Sequence, residues 1–256
     1  MRALKVHLGA VYAFLYAPIL VLVVLSFNKS GLPTAWGGFS AEWYGKLAGN
    51  PKILQAAWNS LIVALASTGL SVLLGTLLAM GMERSKTRVT LDALLFAPMI
   101  IPDIVLAIAL LSFYSLLKFT LGLQSIILAH TVFNIAFVCA VVRARLKRFD
   151  WSLVEASRDL GAGAFQSFLR ITLPLVFPAI VAAALLAFTL SIDEFIIAYF
   201  TAGAGPASTT LPMQIYAMIR FGVTPEINAL AALVMFGSFT LLVAAQTLNK
   251  DRTPGV

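Results

Sequence analysis

The chain has 256 residues, 60% of them hydrophobic and 11% charged, with a mean hydropathy of +0.94; a soluble domain carries about 25% charged residues, so that class is excluded. The net charge of +7 is uneven along the chain and reads as a topogenic signal, not a nucleic-acid-binding surface. A single cysteine, Cys139, excludes an internal disulfide and a cysteine-built metal site.

Crossing a hydrocarbon core of ~30 Å takes about 20 apolar residues. Six runs meet that length, so the expected fold class is all-α, a polytopic membrane protein with six transmembrane helices at about 8–27, 57–82, 94–117, 123–142, 173–201 and 228–248. The first run exceeds the ~7–15 residues of a signal-peptide core, and no small-x-small cleavage site follows it. It reads as a retained anchor. The stretch 28–56 carries Trp36, Trp43 and Tyr44. Such aromatics favour the membrane–water boundary, so an interfacial or periplasmic helix is expected there, ahead of substrate stacking.

The second run opens with Asn59-Ser60-Leu61 and places Ser67, Ser71, Gly75 and Ala79 four residues apart. Such a small-residue stripe lets another helix approach closely. In the third run Asp103 follows Pro98 and Pro102. Counted from Leu91 at 1.5 Å per residue, Asp103 lies about 18 Å along a helix, near mid-membrane. An intramembrane carboxylate points to a translocation path, and one just after a helix-starting proline is equally explained by the helix N-terminus. Ser112, Tyr114 and Ser115 follow and either line a path or satisfy neighbouring backbone. In the fourth run His130 and Asn134 lie one turn apart with no acid on that face, so interhelical hydrogen bonding is favoured over a proton relay.

The segment 151–174 is polar and helix-competent between two apolar runs. On a helix, Leu153, Ala156, Leu160, Ala164 and Phe168 form an apolar stripe, with Glu155, Asp159, Ala162, Gln166 and Arg170 opposite. A two-faced helix at the membrane surface suggests docking. In the fifth run Asp193 and Glu194 fall about 30 Å from Leu173, in the outer half of the membrane or at its outer boundary. Neighbouring residues on a helix point about 100° apart, so the two do not share one pore. Asp193 is favoured for a path and Glu194 for a subunit or loop contact.

With the runs alternating sides, thirteen of the 18 basic residues fall on one side and five on the other. The positive-inside rule then places both termini and the segment 151–174 in the cytoplasm. No G-x-x-x-x-G-K-[ST], G-x-S-x-G or H-E-x-x-H occurs, and two histidines leave little for catalysis. The chain is not expected to be an enzyme.

Glu155-Ala156-Ser157, Gly161 after three residues and Ile171-Thr172-Leu173-Pro174 after nine more resemble the cytoplasmic EAA loop of ABC importer permeases. The stretch from Ser191-Ile192-Asp193-Glu194-Phe195 through Thr209-Thr210-Leu211-Pro212 to Ile227-Asn228 is similar to the second permease subunit of the spermidine/putrescine branch. The family usually has alanine where Ser157 stands.

The resemblance implies a type I importer permease fold over residues 1–256 as a single transmembrane permease domain. It implies that 151–171 is a coupling loop, with Glu155, Ala156, Ser157, Gly161, Leu173 and Pro174 meeting the ATPase. It also implies a second permease subunit in a heterodimer, two ABC ATPase subunits, a periplasmic substrate-binding protein, membrane lipid and no nucleic acid. The chain itself then holds no cofactor, ATP and Mg²⁺ being bound by the ATPase. The expected location is the bacterial inner membrane, and the expected cargo is polyamine. Asp103, Asp193, Glu194 and Tyr114 are its candidate path residues, since buried carboxylates lower the dehydration barrier of a polycation. The readings set against it are a permease for another cationic solute, a self-sufficient proton- or ion-coupled transporter, and a membrane scaffold.

Overall fold

The computed structural model describes residues 2–32, 35–83, 88–220 and 222–250, with side chains placed at 4–32, 35–83, 90–220 and 222–240. Arg84, Lys86 and Arg252, which enter the charge tally above, lie outside the described residues.

In chain order the helices are α1 (Arg2–Leu25), α2 (Glu42–Ala48), α3 (Pro51–Glu83), α4 (Arg88–Ile100), α5 (Asp103–Leu116), α6 (Leu123–Leu146), α7 (Ser152–Asp159), α8 (Ala164–Ser167), α9 (Leu173–Asp193), α10 (Ile196–Thr201), α11 (Leu211–Ile219) and α12 (Pro225–Lys250). A π turn, Phe168–Thr172, joins α8 to α9 just ahead of Pro174, whose ring has no N–H to give the ladder. Among the described residues, α1 from Leu4, α3, α6 and the run Ala164–Asp193 are each long and apolar enough to cross a membrane. The pair α4–α5 makes a fifth crossing if counted as one, and the sixth predicted span falls on α12, a helix of 26 residues.

The third predicted span is corrected: 94–117 is not one helix. The chain bends by 107° between α4 and α5. Pro102 stands at the break with φ −54° and ψ 136°, because proline donates no hydrogen bond and its ring pushes the preceding residue out of the helical region. The depth of Asp103 counted along a straight helix from Leu91 therefore does not hold. The fifth predicted span, 173–201, is likewise two helices. α9 ends at Asp193, Glu194 is extended (φ −70°, ψ 125°), and α10 starts afresh at Ile196.

The described chain forms two compact units, residues 1–55 with 214–256 and residues 56–213. In the first, α12 packs against α1 and α2. The turn after α1 is organised by buried Asn28, whose Oδ1 accepts from the N–H of Ser30 and Gly37 and whose Nδ2 donates to the Ala35 carbonyl. Trp43 of α2 donates to the Asn28 carbonyl at 2.7 Å, and the Tyr44 and Ser26 hydroxyls meet at 2.7 Å. The aromatic stretch thus holds a short helix, α2, with its polar edges bonded to the turn.

The second unit is built on α6, which packs against α4, α9 and α10. Its main core gathers Ala79, Met82, Val138, Cys139, Val142, Leu146, Val176 and Ala183. The small-residue stripe of α3 turns inward as expected: Ser67, Ser71 and Ala79 are buried, and a Cβ on Gly75 would lie 2.8 Å from Val138. At the end of α6 buried Arg143 is paired with Glu83 of α3 and Asp92 of α4. Two carboxylates on one guanidinium satisfy a charge that burial alone disfavours.

Candidate functional site

Two places in the second unit concentrate chemistry. One is the polar segment after α6. Asp150 opens it, its Oδ1 accepting from the N–H and hydroxyl of Ser152 at 3.0 and 2.7 Å. These bonds hold the exposed Asp150 carboxyl below its ordinary value. α7 follows and ends in a Schellman turn: the Gly161 N–H bonds the Arg158 carbonyl and the Ala162 N–H bonds the Ser157 carbonyl. Gly161 has φ +87°, the left-handed region that favours glycine.

That turn corrects the predicted stripe. The 3.6-residue period stops at Leu160, so Ala164 and Phe168 do not continue the stripe; Leu153, Ala156 and Leu160 share the outward face of α7, and Val154 and Ser157 face inward. Leu160 is 90% exposed and Phe165 72%. Ser157 in place of the more usual alanine has a defined contact: its hydroxyl bonds the Val154 carbonyl and meets the Ser167 hydroxyl at 2.7 Å, bracing α7 to α8. Glu155 is exposed in the first turn of α7, Pro174 is exposed and Leu173 half-buried. The segment therefore presents acidic and apolar side chains on a braced, turned support.

The second place is the break after α9. Its two acids separate there. Asp193 is exposed at the C-terminus of α9. Glu194 turns inward, its Oε1 accepting from the Ile197 N–H at 2.8 Å and its Oε2 from the Ala198 N–H at 2.9 Å. Its Oε2 also stands 3.3 Å from His130 Nε2, a charge-pair distance outside good hydrogen-bond alignment. The other imidazole nitrogen, Nδ1, meets the Ser191 hydroxyl at 2.7 Å, and Ser191 meets Ser67 at 3.0 Å.

His130 thus makes the interhelical hydrogen bond expected of it, to Ser191 of α9, and also has an acid beside it that its own helix face does not carry. The acid comes from the break after α9, 64 positions on, which helical periodicity within α6 cannot reveal. Asn134, one turn along, is buried with no hydrogen-bond partner for its amide among the described residues. It does not join His130 in a relay.

The remaining candidates fall elsewhere. Asp103 is exposed in the first turn of α5, directly after the Pro102 break. Tyr114 is buried, its hydroxyl donating to the Ser125 carbonyl at 3.1 Å, so it packs α5 to α6 and is not exposed to a path. Sequence reasoning also passed over a tether. The Asn59 amide donates to the carbonyls of Pro206, Ala207 and Thr209, and the Ser60 hydroxyl accepts from the Leu211 N–H. Among the described residues no group of three or more His, Cys, Asp or Glu is placed to hold a metal.

Comparison with known proteins gives this arrangement a setting. Residues 71–253 match the family of binding-protein-dependent transport system inner membrane components. The chain is 41% identical over 248 residues to the spermidine/putrescine transport system permease protein PotC of Escherichia coli (strain K12), covering 96% of this chain and 93% of that one. It is 40% identical over 233 residues to the putrescine transport system permease protein PotI of the same organism, covering 88% and 82%. A bacterial ABC transporter that imports the acidic polysaccharide alginate superposes with a TM-score of 0.70 at 15% identity, covering 98% of this chain and 95% of that chain; at that identity it speaks for the fold alone.

Proposed function

Since the chain belongs to the family of binding-protein-dependent transport system inner membrane components, we propose that it is the permease subunit that carries polyamines through an ATP-driven importer. As a membrane component of such a system it is not itself an enzyme, and ATP hydrolysis falls to separate subunits. It is a multi-pass inner-membrane protein. Both termini and α7 face the cytoplasm in this reading, supported by thirteen of the 18 basic residues falling on that side. A second permease, as a heterodimer, completes the pore, two ATPase subunits hold ATP and Mg²⁺, and a periplasmic binding protein delivers the cargo. This chain holds no cofactor.

The observation that carries the reading is the α7–α8 segment in a chain of this family. Leu160 and Phe165 project from it, while Val154 seats it in the core of the unit and the Ser157–Ser167 bond braces its two helices to each other. An exposed apolar face on a rigid support suits a cleft in an ATPase, and a displacement there reaches α9 through the π turn. Glu155 supplies a polar contact beside that face.

Similarity to PotC and PotI supports polyamine as the cargo, as do the exposed carboxylates of Asp103 and Asp193, which suit a polycation and oppose an anion. Binding at such carboxylates must stay weak for the cargo to leave, so selectivity rests mainly with the binding protein. The test is uptake of radiolabelled putrescine and spermidine by cells whose own polyamine importers are deleted and which express this chain with its partners. Asp193→Asn is expected to lower uptake without lowering the amount of protein in the membrane. Equal uptake by variant and parent removes Asp193 from the path, and uptake that survives deletion of the ATPase overturns the importer reading.

A further inference from the structure

The acids at 193 and 194 are chain neighbours with opposite fates, and the break between α9 and α10 is what separates them. A carboxylate with a side chain only 11% exposed is held there by two backbone N–H groups and an imidazole that is itself 1% exposed. His130 is fixed in turn by Ser191, in the last turn of α9, and Ser191 by Ser67 of α3. One polar chain thus ties α3, α6, the end of α9 and the start of α10.

We propose that Glu194 and His130 are a positioning pair: they hold the break after α9 in one geometry and so keep Asp193 directed outward, toward the route of the cargo. The inference rests on the reading of Asp193 as a path residue. Glu194 itself meets no cargo. Its carboxylate is occupied by the N-terminus of α10, where two orphan N–H groups and the helix dipole favour a negative charge, and by His130. Without the carboxylate α10 loses its terminal partner, and nothing prevents the helical ladder from running on through 194 and 195, which redirects the chain directly after residue 193 and changes what its side chain faces. Without His130 the carboxylate loses the imidazole beside it, and a buried charge lacking a polar neighbour tends to seek solvent.

The test uses the assembled importer in membrane vesicles and reads two quantities. The first is the rate at which a charged methanethiosulfonate modifies Asp193→Cys in a Cys139→Ala background, which reports the direction of residue 193 irrespective of transport. The second is the KM and maximal rate of polyamine uptake with Asp193 intact. Glu194→Gln and His130→Ala are each expected to change the labelling rate and to raise KM by about fivefold or more, and the double variant is expected to be no worse than the stronger single one, the signature of coupled residues. If either variant fails to accumulate, Ser191→Ala, which frees His130 without leaving a charge unpaired, is expected to shift labelling in the same direction by a smaller factor. Unchanged labelling in all the variants that accumulate overturns the proposal. Labelling that shifts while Asp193→Asn leaves uptake unchanged supports the positioning pair and overturns instead the assignment of Asp193 to the path.

Discussion

Gly161→Ala isolates what the turn after α7 contributes. A Cβ at this position meets no atom within 4 Å, so there is no clash to confuse the result. What remains is the backbone: at φ +87° an L-residue is strained, by roughly 1–2 kcal/mol for the left-handed region. Both Schellman bonds, from Gly161 to Arg158 and from Ala162 to Ser157, depend on that φ. If α7 and α8 dock on the ATPase as one braced unit, the turn relaxes in the free permease and must be restored on docking, so the strain appears in the affinity. A loss of 1–2 kcal/mol corresponds to about 5–30-fold in the dissociation constant. The assay is titration of detergent-solubilised permease with purified ATPase, read by bound fraction. Gly161→Asn serves as the control, since asparagine enters the left-handed region more readily than alanine, and it is expected to lose less. Equal affinity for Gly161→Ala and parent, or an asparagine variant weaker than the alanine one, refutes the reasoning.

Other features give sharp expectations. A Cβ on Gly203 would lie 2.4 Å from the Leu121 carbonyl oxygen, which is backbone and cannot swing aside; Gly203→Ala is therefore expected to lower stability by about 1–3 kcal/mol, measured as a drop in the thermal midpoint of the solubilised protein. Asn59→Ala leaves the carbonyls of Pro206, Ala207 and Thr209 without their amide, a loss of about 1–3 kcal/mol, and limited proteolysis is expected to cut the 203–209 segment faster than in the parent. The start of α7 is expected to depend on pH in one direction. Because the carboxyl of Asp150 is held below its ordinary value of 3.8, its contribution is complete above that value and disappears as pH falls through the lower folded one. The amide protection factor of Ser152 is therefore expected to hold at neutral pH and fall in acid, and Asp150→Ala is expected to abolish that dependence.

The parts of the fold legible in the sequence are those set by local periodicity and by the sorting of charge. The apolar runs locate α1, α3, α6 and α12 because each is one uninterrupted helix, and the Ser67–Ser71–Gly75–Ala79 stripe foretells the close approach of α3 to α6 because small residues four apart have no other common effect. The runs at 94–117 and 173–201 mislead for two different reasons. At Pro102 the signal was present, since proline after an apolar run reads as a break as readily as a helix start, and length in the membrane outweighed it. At Glu194 there was no local signal. What ends α9 is the pull of the Ile197 and Ala198 amides and of His130 on one carboxylate, and a partner 64 residues away leaves no trace in the local sequence.

The same distinction governs the candidate site. The position of Gly161 and the acid of Glu155 are local features and are readable, whereas the facing of Ala164 and Phe168 is not, because a single left-handed residue resets the helical phase between Leu160 and Ala164. The residues left pointing outward, Leu153, Leu160 and Phe165, are apolar in a segment otherwise polar enough to stay out of the membrane. Exposed leucine and phenylalanine are costly in water, and the most direct physical account of their being held on a braced turn is a partner that covers them. An apolar-to-polar exchange tests that account at the side chain, where the glycine variant tests the backbone. Leu160→Asp leaves the fold of this chain untouched, since Leu160 is 90% exposed. It is expected to abolish ATPase capture while the permease still reaches the membrane, and capture at the parental level would show that the partner's cleft lies elsewhere.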